Sequence, residues 1–112
     1  MNADQVLTRA LAACPYPGTQ IPVEGNGPIY VSFTEVSGRP TMYASNKPRA
    51  VEHMMQVDIW SRMPISPEVM VVVKALWAGG IIVVDWGPQM YEDDTGWHHM
   101  PITCRYNERL EE

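Results

Sequence analysis

Apolar residues recur along this chain with two different periods, and the switches between them mark its elements. Val6, Leu7, Ala10 and Leu11 fall at helical spacing, which predicts an amphipathic helix over about Ala3–Ala13. Asn2 stands in the capping position, with Gln5 three residues later in the capping-box arrangement. Cys14-Pro15-Tyr16-Pro17-Gly18 closes the helix, because proline lacks the needed N–H and disfavours helix in the residue before it. Residues 15–28 hold four prolines and three glycines without any hydrophobic period, and read as a loop.

Alternation then takes over. Ile29, Val31 and Phe33 at every second position predict a strand across Pro28–Val36. Ser37-Gly38-Arg39-Pro40 carries turn chemistry, Thr41–Ser45 reads as a shorter extended piece completing a hairpin, and Asn46-Lys47-Pro48 marks another corner. The best-defined strand is Ala50–Arg62. Val51, His53, Met55, Val57 and Ile59 share one face of it, and Glu52, Met54, Gln56, Asp58, Trp60 and Arg62 share the other. That second face mixes charge with Met54 and Trp60, the texture of a surface covered in places rather than simply wet.

The period returns to helical after Met63-Pro64-Ile65. Ser66-Pro67-Glu68 combines a capping hydroxyl, a first-turn proline and an acid at the positive helix end. The helix should run to Ala78 and stop at Gly79-Gly80. Val69, Val72, Val73, Leu76 and Trp77 make its core stripe, Met70 and Val71 spill onto the far side, and Lys74 is the one interior charge. A helix apolar nearly all round is buried on more than one side. In so small a domain the extra burial is expected from a neighbouring subunit.

Ile81–Trp86 is a β-branched run suited to a central strand, interrupted by Gly87-Pro88 and continued by Gln89–Glu92 to a turn at Asp93-Asp94-Thr95-Gly96. Trp97–Tyr106 follows as a strand with Met100, Ile102, Cys104 and Tyr106 on one face, and 107–112 reads as a polar tail. The sum is one α+β domain: a mixed, mostly antiparallel sheet of four to five strands packed with two helices.

Composition narrows the function. At 112 residues the chain can bury one core. Charged residues make up only 19 % against the usual quarter, which leaves much uncharged surface for other subunits. A net charge of −5 with eight scattered bases argues against a nucleic-acid backbone binder. No charged-then-apolar leader is seen, so no secretion signal is expected. The apolar stretch 69–84 contains Lys74 and two glycines and is shorter than the roughly 20 residues a membrane span needs, so a buried helix and strand are expected there. Cys14 and Cys104 have no zinc or redox spacing and read as reduced core thiols.

Candidate chemistry is sparse. His98 and His99 are adjacent in a strand and point to opposite faces, so they cannot share one ion. His53 could pair across strands with one of them, with Asp85, Asp93 or Asp94 supplying oxygen, but no recognisable zinc spacing results. The acids at Glu92-Asp93-Asp94 are too compact for a calcium loop. There is no nucleophile elbow and no phosphate loop. No catalytic, metal or cofactor residue is assigned. Trp77 and Trp86 are expected in the core. Trp60 and Trp97, near strand ends on the faces opposite the apolar stripes, read either as anchors of a subunit interface, where tryptophan is enriched, or as second-layer packing. Met54, Trp60, Met70, Val71, Lys74 and Trp97 are therefore the candidate interface residues.

The sequence YASNKPRAVEHMMQVDIWSR, then a helix opened by Ser66-Pro67-Glu68, then a β-run and EDDTGWHHMPITCRY, resembles the tail-terminator or tail-to-head joining proteins of long-tailed bacteriophages. The likeness covers roughly residues 28–107 and lies in element order and texture. It implies a non-enzymatic α+β subunit without cofactor, assembled in the host cytoplasm into the virion's tail or neck. Such subunits form a homo-oligomeric ring, commonly a hexamer, that caps the tail tube, ends its polymerisation and meets the head connector. Genomic DNA would pass its lumen without specific binding, which an acidic balance suits. A head–tail stopper, neck or minor capsid component is the alternative. An acidic DNA mimic would need denser charge, and a small metal-dependent enzyme would need a ligand set the chain does not display.

Overall fold

The computed structural model describes residues 2–16, 18–19 and 29–110. Most of the loop expected over 15–28, and residues 111–112 of the expected tail, fall outside the described residues. The fold is α+β, two helices packed on one face of a mostly antiparallel sheet. Helix α1 (Ala3–Leu11) opens with the capping box: the Asn2 side chain accepts from the Gln5 N–H and the Gln5 side chain accepts from the Asn2 N–H. Ala3, Val6, Leu7, Ala10 and Leu11 are its buried face.

Strand β1 (Gly18–Thr19) runs parallel to the start of β2 (Ile29–Ala44). β2 pairs antiparallel with β3 (Lys47–Ser61) along nearly their whole lengths, with a bulge between Glu35 and Ser37. The turn expected at 37–40 is instead part of this strand. Ser37, Gly38, Arg39 and Pro40 lie opposite Met54, His53, Glu52 and Val51, and the long ladder overrides the local breakers. Proline is tolerated because β2, among the described residues, has no outer neighbour beyond Ser32. The reversal comes at Ser45-Asn46, both with positive φ, the two-residue turn whose twist matches a hairpin.

Helix α2 (Pro67–Ala78) follows. Its Ser66 hydroxyl caps nothing. The Glu68 carboxylate instead accepts from the Ser66 N–H at 3.1 Å. Val69, Val72, Val73 and Leu76 are buried as the spacing requires. Gly79 ends the helix where α1 crosses closest: a β-carbon there would lie 2.5 Å from Ala10 Cβ. β4 (Ile82–Trp86) and β5 (Met90–Glu92) both pair with one side of β6 (Trp97–Arg109), whose other side pairs with β3. The sheet order is β1-β2-β3-β6-β4, with β5 beside β6 below the break at residues 87–89. The Gln89 side chain locks that break to the start of α2, accepting from the Ile65 N–H at 2.7 Å and donating to the Ile65 carbonyl at 3.0 Å.

Two expectations fail here for one reason. β4 is an edge strand and not a central one, and residues 107–109 of the expected tail extend β6. β6 is long enough to hold β3 along one side and both short strands along the other, which puts β3 and β6 at the centre.

The core lies between the helices and the inward sheet face. Val31, Phe33, Met55, Val57, Ile59, Met100, Ile102 and Cys104 meet Leu7, Leu11, Val72, Val73 and Leu76 there. No helix among the described residues is long and apolar enough to cross a membrane.

Candidate assembly interface

Apolar side chains left on the outside concentrate along the β4–β5 edge and the neighbouring outer side of α2. Ile82, Val84, Trp86, Met90 and Tyr91 are exposed on the edge, and Val71 and Trp77 on the helix. Trp77 is 52 % and Trp86 43 % exposed, so neither sits in the core as expected. Trp77 lies in the last turn of α2, outside its buried set of Val69, Val72, Val73 and Leu76, and Trp86 on a strand with no outer neighbour among the described residues. Met70 is half-buried and Lys74 exposed on the same helix. An edge strand that is apolar and unpaired is an open template for another chain. Asp85, Glu92, Asp93 and Asp94 add four acids to residues 82–96, which contain no base.

The sheet face turned away from the helices carries a second cluster, and here the sequence-predicted residues are divided. Trp60 lies flat on His99, with ring centroids 4.0 Å apart and planes within 2°. The Trp60 indole N–H donates to Ser32 Oγ at 3.0 Å. His99 Nε2 lies 2.7 Å from Asp58 Oδ1, and the Gln56 amide donates to the same oxygen at 2.9 Å. Trp97 is only 3 % exposed, so it is not a surface anchor. Tyr30 meets it edge to face at 5.3 Å, and the Arg62 guanidinium covers its ring at 3.9 Å while donating to the Thr95 carbonyl. The Trp97 indole N–H has no hydrogen-bond partner among the described residues. Met54, half-buried on this face opposite Arg105, lies toward the far end of the sheet from Trp60. The six candidates thus separate: Met70, Val71 and Lys74 belong to the outer side of α2, and Met54, Trp60 and Trp97 to the opposite sheet face, where Trp97 is covered by Tyr30 and Arg62.

A third feature was not foreseen. Beyond Phe33 and Met55 the β2–β3 hairpin leaves the core, flanked by β6 as far as the Ala50–Arg109 pair and then as a two-stranded ribbon, and the molecule has a long axis of 53 Å against 24 and 21 Å. Val36, Met42 and Tyr43 are exposed on this arm. At its root His53, 8 % exposed, is held between Glu35 on β2 and Glu108 on β6, with Nδ1–Oε2 and Nε2–Oε1 distances of 2.7 and 2.8 Å. Two carboxylate acceptors require a proton on both ring nitrogens, the imidazolium form. Burial pulls the His53 pKa down, but the hydrogen bonds and charges of Glu35 and Glu108 outweigh it and leave it raised. Tyr106 stacks near the ring at 6.2 Å. The partners stand 18 and 55 residues from His53 in sequence, so only the strand order could have revealed the arrangement.

Among the described residues no three His, Cys, Asp or Glu side chains are grouped as a metal site. No protein-family model matches the chain, and no curated protein is significantly similar to it.

Proposed function

We propose that this protein is a structural, non-enzymatic subunit that assembles with copies of itself into a ring at the end of a bacteriophage tail tube. There it ends tube polymerisation and joins the tail to the head connector. The observation that carries the reading is the apolar, unpaired β4–β5 edge beside the exposed outer side of α2. Exposed apolar surface beside an unpaired strand edge marks a place that another chain covers. The projecting arm supplies a second surface unlike the first, and a ring requires two different faces on each subunit. The sequence likeness to tail-terminator proteins supplies the biological setting, and the net charge of −5 suits a lumen that DNA traverses without sticking.

Native mass spectrometry with negative-stain microscopy tests the assembly, and a closed six-fold ring is the expected outcome. Pull-downs against tail-tube protein and head connector then test its position. Binding to the connector alone, with none to the tube, would assign it to the stopper position instead.

A further inference from the structure

We propose that a proton on His53 fastens the last residues of β6 to the root of the arm, and that its loss sets them free. The device is independent of the ring assembly. His53 lies on β3 between two carboxylates that meet different ring nitrogens: Glu35 of β2 at Nδ1 and Glu108 of β6 at Nε2, 2.7 and 2.8 Å away. Only the doubly protonated ring can donate to both. A neutral ring keeps a single N–H, so one carboxylate then meets a nitrogen lone pair in a buried site. Burial favours that neutral ring, but the hydrogen bonds and charges of the two acids outweigh it while both are in place. Facing His53, β2 also places Gly38, and β6 places the Tyr106 ring at 6.2 Å with the Cys104 thiol one same-face position further in. Val51 and Met55 flank it on β3, with Arg49 beyond Val51 toward the tip, whereas the Arg39–Glu52 ion pair lies on the opposite face.

The strand ladders decide which acid lets go. Glu35 sits inside β2, whose pairing with β3 continues on both sides of it from Ile29 to Ala44. β6 is different. Its pairing with β4 reaches Arg105, opposite Ile82, and from Tyr106 onward its ladder among the described residues is to β3 alone. Asn107, Arg109 and Leu110 are exposed, so Tyr106, Glu108 and the backbone pairing to Ala50–His53 hold this end, with one further bond from the Leu110 N–H to the Arg49 carbonyl at 2.9 Å. A one-sided strand end with few buried contacts is the first part of a sheet to open. Its release leaves β2 and β3 as a two-stranded ribbon from His53 outward, and such a ribbon is marginally stable in water.

The test follows the carbon chemical shifts of residues 106–110 in the full chain by NMR from pH 6 to pH 9, alongside the His53 ring nitrogens. The shifts should move from strand toward coil values with the same midpoint as the ring, while those of residues 98–104 stay at strand values. His53→Gln should remove the transition. Glu108→Gln should keep 106–110 at strand values at pH 9, because its neutral amide can donate to a bare ring nitrogen or accept from a protonated one. Strand values throughout the titration of the unmodified chain overturn the proposal. A transition that persists in His53→Gln does the same, as do coil values at pH 9 in Glu108→Gln, a variant near the strand end that carries the test even where His53→Gln folds poorly. A transition confined to residues 34–38 also overturns it, because Glu35 is then the acid released.

Discussion

His53 and Glu35 face each other across β3 and β2, Nδ1 to Oε2 at 2.7 Å, at the point where the hairpin leaves the core. Glu108 holds the other ring nitrogen, so the cation ties three strands together at the root of the arm.

Because the folded pKa of His53 is raised above its unfolded value, its contribution is fully present below about pH 6.5. It is lost as pH climbs through the folded value. Urea midpoints should fall between pH 6 and pH 8 by the equivalent of about 1–2 kcal/mol, the scale of a charge-assisted hydrogen bond. His53→Gln should abolish most of that dependence. An unchanged pH profile in the variant would refute the assignment to His53.

Gly79→Ala places a methyl group 2.5 Å from Ala10 Cβ. Overpacking of this kind costs about 1–3 kcal/mol, read as a lowered thermal midpoint. Ala10→Gly in the same chain should recover most of the loss, less about 0.5–1 kcal/mol for a glycine within α1. Additive losses in the double variant would refute a direct clash between the helices.

Trp60 and the outer tryptophans should behave oppositely. Trp60→Ala removes the stack on His99 and the bond to Ser32, and should destabilise the monomer by about 2–4 kcal/mol in denaturant titration. Trp77→Ser and Trp86→Ser should leave monomer stability within about 0.5 kcal/mol, because those side chains are exposed. Sedimentation should show the two outer variants losing assembly. Normal assembly by both would remove the α2 outer side and the β4 edge as contact surfaces.

Cys104 is fully buried, and that burial pushes its thiol up to about 12. Cys14, half-buried, is raised by burial with partial relief from a backbone hydrogen bond at Tyr16. A chromogenic disulfide reagent at pH 8 should therefore label Cys14 in the native protein and Cys104 only after unfolding, since the thiolate is the reacting form. Two equivalent fast thiols would mean that the β3–β6 core opens readily.

What could be read from the sequence was what neighbours in the chain decide. The Asn2–Gln5 cap, the Pro67–Ala78 helix and the alternation of Val51 to Ile59 all depend on residues a few positions apart. Gly38 and Pro40 misled because turn chemistry is local, while the ladder to Val51 and His53 that overrides it is not. Trp77 and Trp86 were misplaced, and Trp97 was left between an interface anchor and second-layer packing, for the same reason. Which of them is covered depends on strand order and on Tyr30 and Arg62, far away in sequence. The candidate interface was legible as an excess of apolar surface on α2 but not as an edge and an arm.

β6 pairs with β3 on one side and with β4 and β5 on the other, yet it follows all of them in the chain. During synthesis β4 and β5 have no ladder partner among the described residues until residues 97–109 have left the ribosome, and β3 has only β2. The acidic edge therefore exists only after the whole sheet does. A nascent chain can form its β2–β3 hairpin early, but the β4–β5 edge takes shape only once its last strand is in place.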